Sequence, residues 1–304
     1  MFDTTRDFLK KIGLPSGDLN HLPTSNKKFS DGCDFRIEIP TINSLDAAET
    51  ILSESNKLGF TINRITETQG IFRYLKSDIS SWVEMCNNYG CDLVMSVGPR
   101  ATYDIGGTVN SEQGKTIAYR LRGQEQLIRG IEDVKRGIEQ GVENFLIYDE
   151  GMLWVLNEMR KENEIPENIH FKVSAHCGHS NPAALKLLES IGADSINPVR
   201  DLTLPMIAAL REAIAIPLDC HIDNPITSGG FIRTYEAPEI VRIASPVYIK
   251  TGNSAIAKHG SVTTANDAKR MAVQASIALE MITKYYPEAK QSMMKITKLK
   301  ILKN

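Results

Sequence analysis

The sequence predicts an α/β protein folded as a closed (β/α)8 TIM barrel, with a short N-terminal extension and a long loop after strand three. Three observations carry that expectation. Short β-branched runs alternate with longer stretches of helical periodicity, the pattern of parallel βαβ units. Eight such units can be counted, the number that closes this barrel. The 304-residue length is one that barrels of this kind reach as a single domain, and no fixed-length repeat or proline- or serine-rich linker divides residues 1–304.

In chain order, residues 1–32 are expected to form a short amphipathic helix and coil outside the barrel. Strands are expected at FRIEIP from Phe35, FTINRITE from Phe60, DLVMSVG from Asp92, NFLIYDE from Asn144, HFKVSAH from His170, DSINPV from Asp194, PLDCHID from Pro217 and PVYIKTG from Pro246. Helices fit between them. SLDAAETILSESNKLG has Ser44 as N-cap, and NPAALKLLESIGAD has Asn181 as N-cap with Pro182 at the first helical position. LTLPMIAALREAIAIP follows the sixth strand, and APEIVRIASP, with room for about two turns, follows the seventh. Thr264 and Asp267 mark the start of AKRMAVQASIALEMI. The stretch GPRATYDIGGTVNSEQGKTIAYRLRGQEQL after strand three is glycine-bearing, polar and of lid length, which places it over the site. Residues 286–304 form a tail, basic and apolar by turns, that suits a frayed end or a subunit contact.

Composition narrows the function classes. A formal net charge of −2 gives no electrostatic reason to expect nucleic acid or an acidic membrane as partner. Neither a signal-peptide core nor a run of roughly 18 apolar residues is visible, so a cytoplasmic location is expected. The five cysteines are scattered without a C-x-x-C pair, which predicts reduced thiols. No nucleotide-cofactor motif stands out, and the expected partner is a small-molecule substrate, with homo-oligomerisation left open.

Side chains alternate along a barrel strand, so the inward set follows once the apolar set is turned towards the helices. That rule points Arg36 and Glu38, Lys172, Ser174 and His176, Ser195 and Asn197, Asp219, His221 and Asp223, and Tyr248 and Lys250 into the barrel. Barrel interiors are normally filled by branched apolar side chains, and burying this many ionisable groups costs several kcal/mol each unless they are paired. Arg36, Glu38, Lys172 and Asp219 read equally well as a buried ion-pair network in the lower layers. His176, His221, Asp223 and Lys250 belong to the upper ends of their strands, where sites of this fold lie.

Two chemistries suit this set. His176, His221 and Asp223, joined by Glu150 at the end of the fourth strand, could hold a divalent metal, Zn, Mn or Fe. Without a metal, the catalytic set is Lys172, His176, Asp219, His221, Lys250 and Glu38. The histidines then act as general acid and base, and a lysine stabilises negative charge or forms a Schiff base. Substrate binding is expected from Arg36, Asn197 and Arg200 and from two glycine loops, NPITSGGFIRTYE and KTGNSAIAKHG. There Gly229, Gly230, Arg233, Gly252, Asn253 and Ser254 would cradle a phosphate or carboxylate.

The runs GGFIRTYEAPEIVRIASPVYIKTGN and SAHCGHSNPAALKLLESIGADSINPVRD resemble barrel proteins catalogued with the collagenase-like peptidases. Members of that group carry a cysteine-rich signature that can hold an iron–sulfur cluster. This chain lacks the signature, so the resemblance transfers neither a cluster nor peptidase activity. The expected function is a small-molecule lyase or isomerase acting next to a carbonyl on an anionic substrate. A lysine Schiff-base aldolase and a non-catalytic ligand-binding barrel are the alternatives.

Overall fold

The computed structural model describes residues 2–103, 105–257 and 260–293. Asp104 of the long loop, His259 after strand eight and the tail beyond Met293 lie outside the described residues. Eight parallel strands close in sequence order into one barrel. They are β1 (Phe35–Ile39), β2 (Arg64–Thr66), β3 (Asp92–Ser96), β4 (Asn144–Ile147), β5 (His170–Val173), β6 (Ser195–Ile196), β7 (Leu218–His221) and β8 (Val247–Lys250). Closure is made by β1 against β8, with Glu38 opposite Lys250.

Alternation sorts the strands as the sequence predicts. Ile37, Ile39, Ile65, Phe145, Phe171 and Ile249 are fully buried on the outer side of the barrel. Burying each such side chain contributes about 1.5–3 kcal/mol. Inside, the barrel is divided: Val94, Leu146 and Tyr148 form a small apolar cluster on the β3–β4 side, and charged residues fill the remainder. All eight strands are shorter than the runs that predict them, β2 and β6 most of all. Below Arg64 the Ile37 amide donates to the side chain of Asn63 at 2.9 Å, while the Asn63 backbone N donates to Ile37 O at 3.0 Å. After Asn197, Pro198 has no N–H to donate, and β6 ends.

Outside lie α1 (Asp3–Lys11), α2 (Leu45–Lys57), α3 (Lys76–Asn88), α4 (Gly123–Glu139), α5 (Glu150–Lys161), α6 (Pro182–Ser190), α7 (Leu204–Ala213), α8 (Ala237–Ala244) and α9 (Ala265–Tyr285). The expected caps are present. Ser44 accepts from Ala47 N at 3.1 Å and Asn181 from Ala184 N at 3.0 Å, and Thr264 and Asp267 form a reciprocal capping box. The fourth strand stops earlier than NFLIYDE suggests, because Asp149 caps α5, accepting from Met152 N at 3.1 Å, and Glu150 is already helical. No helix among the described residues is long and apolar enough to cross a membrane.

The two ends of the barrel are covered differently. Helix α1 buries no residue, but residues 12–34 cross the amino-terminal end. Ser25 N donates to Arg242 O at 2.9 Å and the Phe29 ring meets Tyr248 edge-on at 5.3 Å. After α9 the chain returns to the same end, where Ser292 N donates to Phe35 O at 3.0 Å. Over the carboxyl-terminal end lies the long loop, residues 97–122, folded through short 3-10 turns at Ala101–Tyr103, Thr108–Asn110 and Gln113–Ile117.

Asp133 on α4 anchors the start of that loop, accepting from Gly98 N at 3.0 Å. Burial outweighs this bond and raises its carboxyl to about 7. A carboxyl raised on folding supports the fold fully at low pH, and that support is lost as pH rises through the folded value. Asp133→Asn keeps an acceptor for Gly98 without the charge. Relative to the unsubstituted protein, it should be more stable at pH 8 than at pH 5 by on the order of 1 kcal/mol in urea unfolding. An equal offset at both pH values would contradict the assignment.

Candidate functional site

The floor of the site is a network of buried charges contributed by five strands. From β1, the Glu38 carboxylate contacts Lys172 of β5 and is held by Arg64 of β2, whose Nε donates at 2.9 Å; Thr66 adds a hydroxyl at 2.8 Å and Lys250 of β8 lies at 3.3 Å. From β7, Asp219 pairs with Arg64, lies 3.5 Å from Lys172 and accepts from Ser195 Oγ at 3.0 Å. Three cations therefore meet two carboxylates, all of them buried. The surplus shows in Lys172: burial first, then the neighbouring Arg64 charge, lower its ammonium to about 7 against the pull of Asp219 and Glu38. The same burial is overcome at Glu38, where Arg64, Lys172 and Lys250 hold the carboxyl well below the usual range.

Above the floor, His221 follows Asp219 by two residues and sits opposite Lys250. Burial, then the Lys250 and Arg200 charges, push its pKa well below 6.5, so its imidazole is neutral at physiological pH. At the mouth, His176 stands in a 3-10 turn, Ala175–Cys177, just past β5. Its ring stacks on Tyr119 from the long loop at 3.9 Å and 14°, and Arg200 Nη2 lies 3.2 Å from its Nε2. A guanidinium only donates, so Nε2 faces Arg200 as an acceptor. Arg200 joins the two histidines, since it also lines a small recess with His221 and Asp219. Arg100 lies over the Tyr148 ring at 4.7 Å and donates to Gln69 O at 2.8 Å.

Several buried polar atoms around this mouth have no hydrogen-bond partner: His221 Nδ1, Asp223 Oδ1, Asn224 Nδ2, and Nε of both Arg100 and Arg200. Leaving such groups unsatisfied costs about 1–3 kcal/mol each, which a polar ligand would offset. Below them, Asn197 acts as a positioner, donating to Asp219 O at 2.7 Å and accepting from Lys250 Nζ at 2.7 Å.

The four metal-ligand candidates do not converge. Among the described residues, no three histidine, cysteine or acidic side chains are grouped to hold a metal ion. Glu150 opens α5 and is committed to Arg120 and to His179, 2.5 Å away; these bonds outweigh burial and hold its carboxyl at about 2. Asp223 Oδ2 accepts from both the backbone and the hydroxyl of Ser254. His176 Nε2 faces a guanidinium, which would repel a second cation. The donor set does not fit a divalent ion.

The proposed glycine cradle after β8 is filled by the protein itself. Ser254 N donates to Asp223 at 2.7 Å, and Asn253 is fully buried, donating to Asn224 at 3.2 Å and accepting from Thr41 at 3.1 Å. Gly252 has φ 91°, and a Cβ there would meet Met271 Cβ at 2.9 Å, so this glycine serves the approach of α9. After β7, Gly230 N donates to Pro225 O at 3.0 Å within its own turn, whereas Gly229 lines a mouth cavity of about 200 Å³ with Arg200, Ser228 and Phe231. Arg233 is held by Glu236 and by Leu202 O at 2.7 Å. Arg36 lies at the opposite end of the barrel, bonded to Ser292 at 2.9 Å and Tyr248 at 3.0 Å.

Of the sequence-predicted set, the structure thus brings Glu38, Lys172, Asp219, His221 and Lys250 together, with Asn197 beside them and His176 and Arg200 above. Arg36, Glu150, Arg233, Gly252, Asn253 and Ser254 serve other contacts. Arg64 at the centre of the floor, and Arg100, Tyr119 and Tyr148 at the mouth, are additions. Parity along the fourth strand would have found Tyr148, since it follows Leu146 by two; Tyr119 carries no such signal.

No protein-family model matches the chain, and no curated protein matches it. Solved structures do. A Rubisco-like protein from Rhodopseudomonas palustris is similar at 13% identity and TM-score 0.51, covering 92% of this chain and 72% of that one. The metallated homocysteine methyltransferase MmuM from Escherichia coli is similar at 11% identity and TM-score 0.51, covering 80% and 97%. The chain also has a low-identity resemblance, 13% over 74% of its length and 96% of the other, to the U32 peptidase Mk0906, at TM-score 0.44. The two similarities at TM-score 0.51 agree with the TIM-barrel fold of the closed eight-stranded barrel.

The network makes a direct energetic prediction. Glu38→Gln removes the carboxylate shared by three cations and leaves their charges facing Asp219 alone. Urea unfolding should show a loss of about 3–5 kcal/mol. A loss under about 0.5 kcal/mol, the usual scale of an indifferent surface change, would mean that Glu38 does not hold the floor together.

Proposed function

We propose that the chain is an enzyme of small-molecule metabolism, a lyase or isomerase that forms an enolate from a carbonyl substrate bearing a carboxylate or phosphate. The observation that carries this reading is the surplus of positive charge in the buried floor, three cations against two carboxylates, directly beneath His176 and the neutral imidazole of His221. A preorganised cation in a water-poor site favours the charge that develops on an enolate oxygen more than it favours the neutral ketone.

In this reading the anionic end of the substrate is held at the mouth by Arg200 and Arg100, whose buried Nε atoms lack partners. His176 acts as the base towards the carbon next to the carbonyl, the substrate anion taking over the Arg200 donor that its Nε2 faces. Lys250, fixed by Asn197 and Glu38, stabilises the oxygen as negative charge develops there. His221, neutral and adjacent, polarises the carbonyl as a hydrogen-bond donor, and the proton held by His176 returns to the product carbon. The long loop, with Tyr119 over His176, excludes water. The same reading makes residues 1–304 one catalytic domain acting on a diffusible metabolite in the cytoplasm.

One observation favours a Schiff-base variant. A lysine lowered to about 7 presents part of its population as the neutral amine at physiological pH, and Lys172 is such a lysine. Borohydride reduction with substrate, followed by peptide mass analysis, separates the variants: a reduced adduct on Lys172 supports the covalent route, and an unlabelled chain the acid–base one.

Carbonyl-bearing carboxylates and phosphates should be incubated with the protein in D2O and followed by NMR for exchange of the proton next to the carbonyl. We expect catalysed exchange with one substrate class, falling about 10²–10⁴-fold in His221→Ala with the fold retained by circular dichroism. Because the His221 pKa lies below 6.5, its titration should not bend the rate profile between pH 6 and 8. Unchanged exchange in His221→Ala would remove His221 from the mechanism. A compound that stabilises the protein against heat but never exchanges would favour a ligand sensor.

A further inference from the structure

The barrel has a second recess, at its amino-terminal end. A cavity of about 290 Å³ lies beneath the strands, roofed by Arg64, Lys172 and Ser195 and flanked by Arg36, Phe29 and Tyr248. That volume is close to the lower limit, roughly 300 Å³, of ordinary small-molecule sites. Its walls are aromatic, with the Arg36 guanidinium 4.2 Å over the Phe29 ring and the Arg64 guanidinium 3.3 Å over the Tyr248 ring.

The polar groups that reach the cavity are mainly donors. Two of them are loosely committed: Arg64 Nη1 lies 3.4 Å from Ser195 Oγ, and Arg36 Nη2 lies 3.4 Å from Asp31 at the rim. The carboxylate that lines the cavity, Asp194, is already engaged by Arg160 at 2.8 Å and by Phe171 N at 2.7 Å. Above stands the network with more cations than carboxylates. An anion placed between Arg36 and Arg64 would therefore meet guanidinium donors from two sides, with the Lys172 ammonium behind them.

We propose that this cavity is a binding site for a small phosphate-type oxyanion, such as inorganic phosphate or a short phosphate ester, distinct from the mouth at the other end of the barrel. The site is wired to the floor of the mouth, because Arg64 and Lys172 belong to both. Negative charge bound below strengthens the hold of Lys172 on its proton, so occupancy tunes the protonation of the buried cluster from the far side of the barrel.

The test uses inorganic phosphate and the full chain, in an Arg200→Met background so that an anion seated at the mouth does not contribute. Thermal unfolding should show a saturable rise in Tm with phosphate. Adding His170→Glu, which places a negative charge on an exposed rim side chain, should weaken the apparent affinity at least about tenfold. Arg36→Met should do the same. No saturable shift in the Arg200→Met protein would overturn the inference, as would an affinity indifferent to both rim substitutions. Binding in the unsubstituted protein that disappears with Arg200→Met alone would also overturn it, while leaving the proposed reaction at the mouth intact.

Discussion

Glu38 carries no exposed surface, yet its carboxylate is the meeting point of Arg64, Lys172 and Lys250. Each partner comes from a different strand, and the register of all four strands has to be right for the charges to meet. A one-residue slip would exchange these groups with the isoleucines and phenylalanines that face the helices. The carboxylate thus ties barrel closure to the composition of its interior. A barrel packed with branched apolar side chains would close without ions and often with greater stability. The ions are therefore better understood as equipment of a site that also constrains the fold.

The interior is not uniformly polar. Val94, Leu146 and Tyr148 make a dry wall on one side, and Tyr119 packs against them from the loop. This wall keeps the effective dielectric low where Lys172 and His221 are forced towards their neutral forms. Both shifts begin with burial and are deepened by neighbouring positive charge, so the chemistry of the site depends on packing as much as on the identity of its charged residues.

Much of this was legible in the sequence, because strand alternation is local. It identified Glu38, Lys172, Asp219, His221 and Lys250 without reference to any neighbour. Alternation gives the face of a side chain and not its height, which is why Arg36, two residues before Glu38, was grouped with the site although it lies at the other end of the barrel. Arg64 does not stand out in the sequence, because its place opposite Glu38 depends on the pairing of two strands. Glu150 was misassigned where strand period gives way to helix cap. The glycine loops displayed backbone N–H groups, but nothing local showed that Asp223 would take those of the last loop.

The stacking of Tyr119 on His176 has a kinetic corollary. The ring that covers one face of the imidazole belongs to the loop itself, so the position of Tyr119 decides how much of that face meets solvent. A ligand that approaches the imidazole from that face has to displace the ring first, which couples its arrival to the loop and leaves the floor untouched.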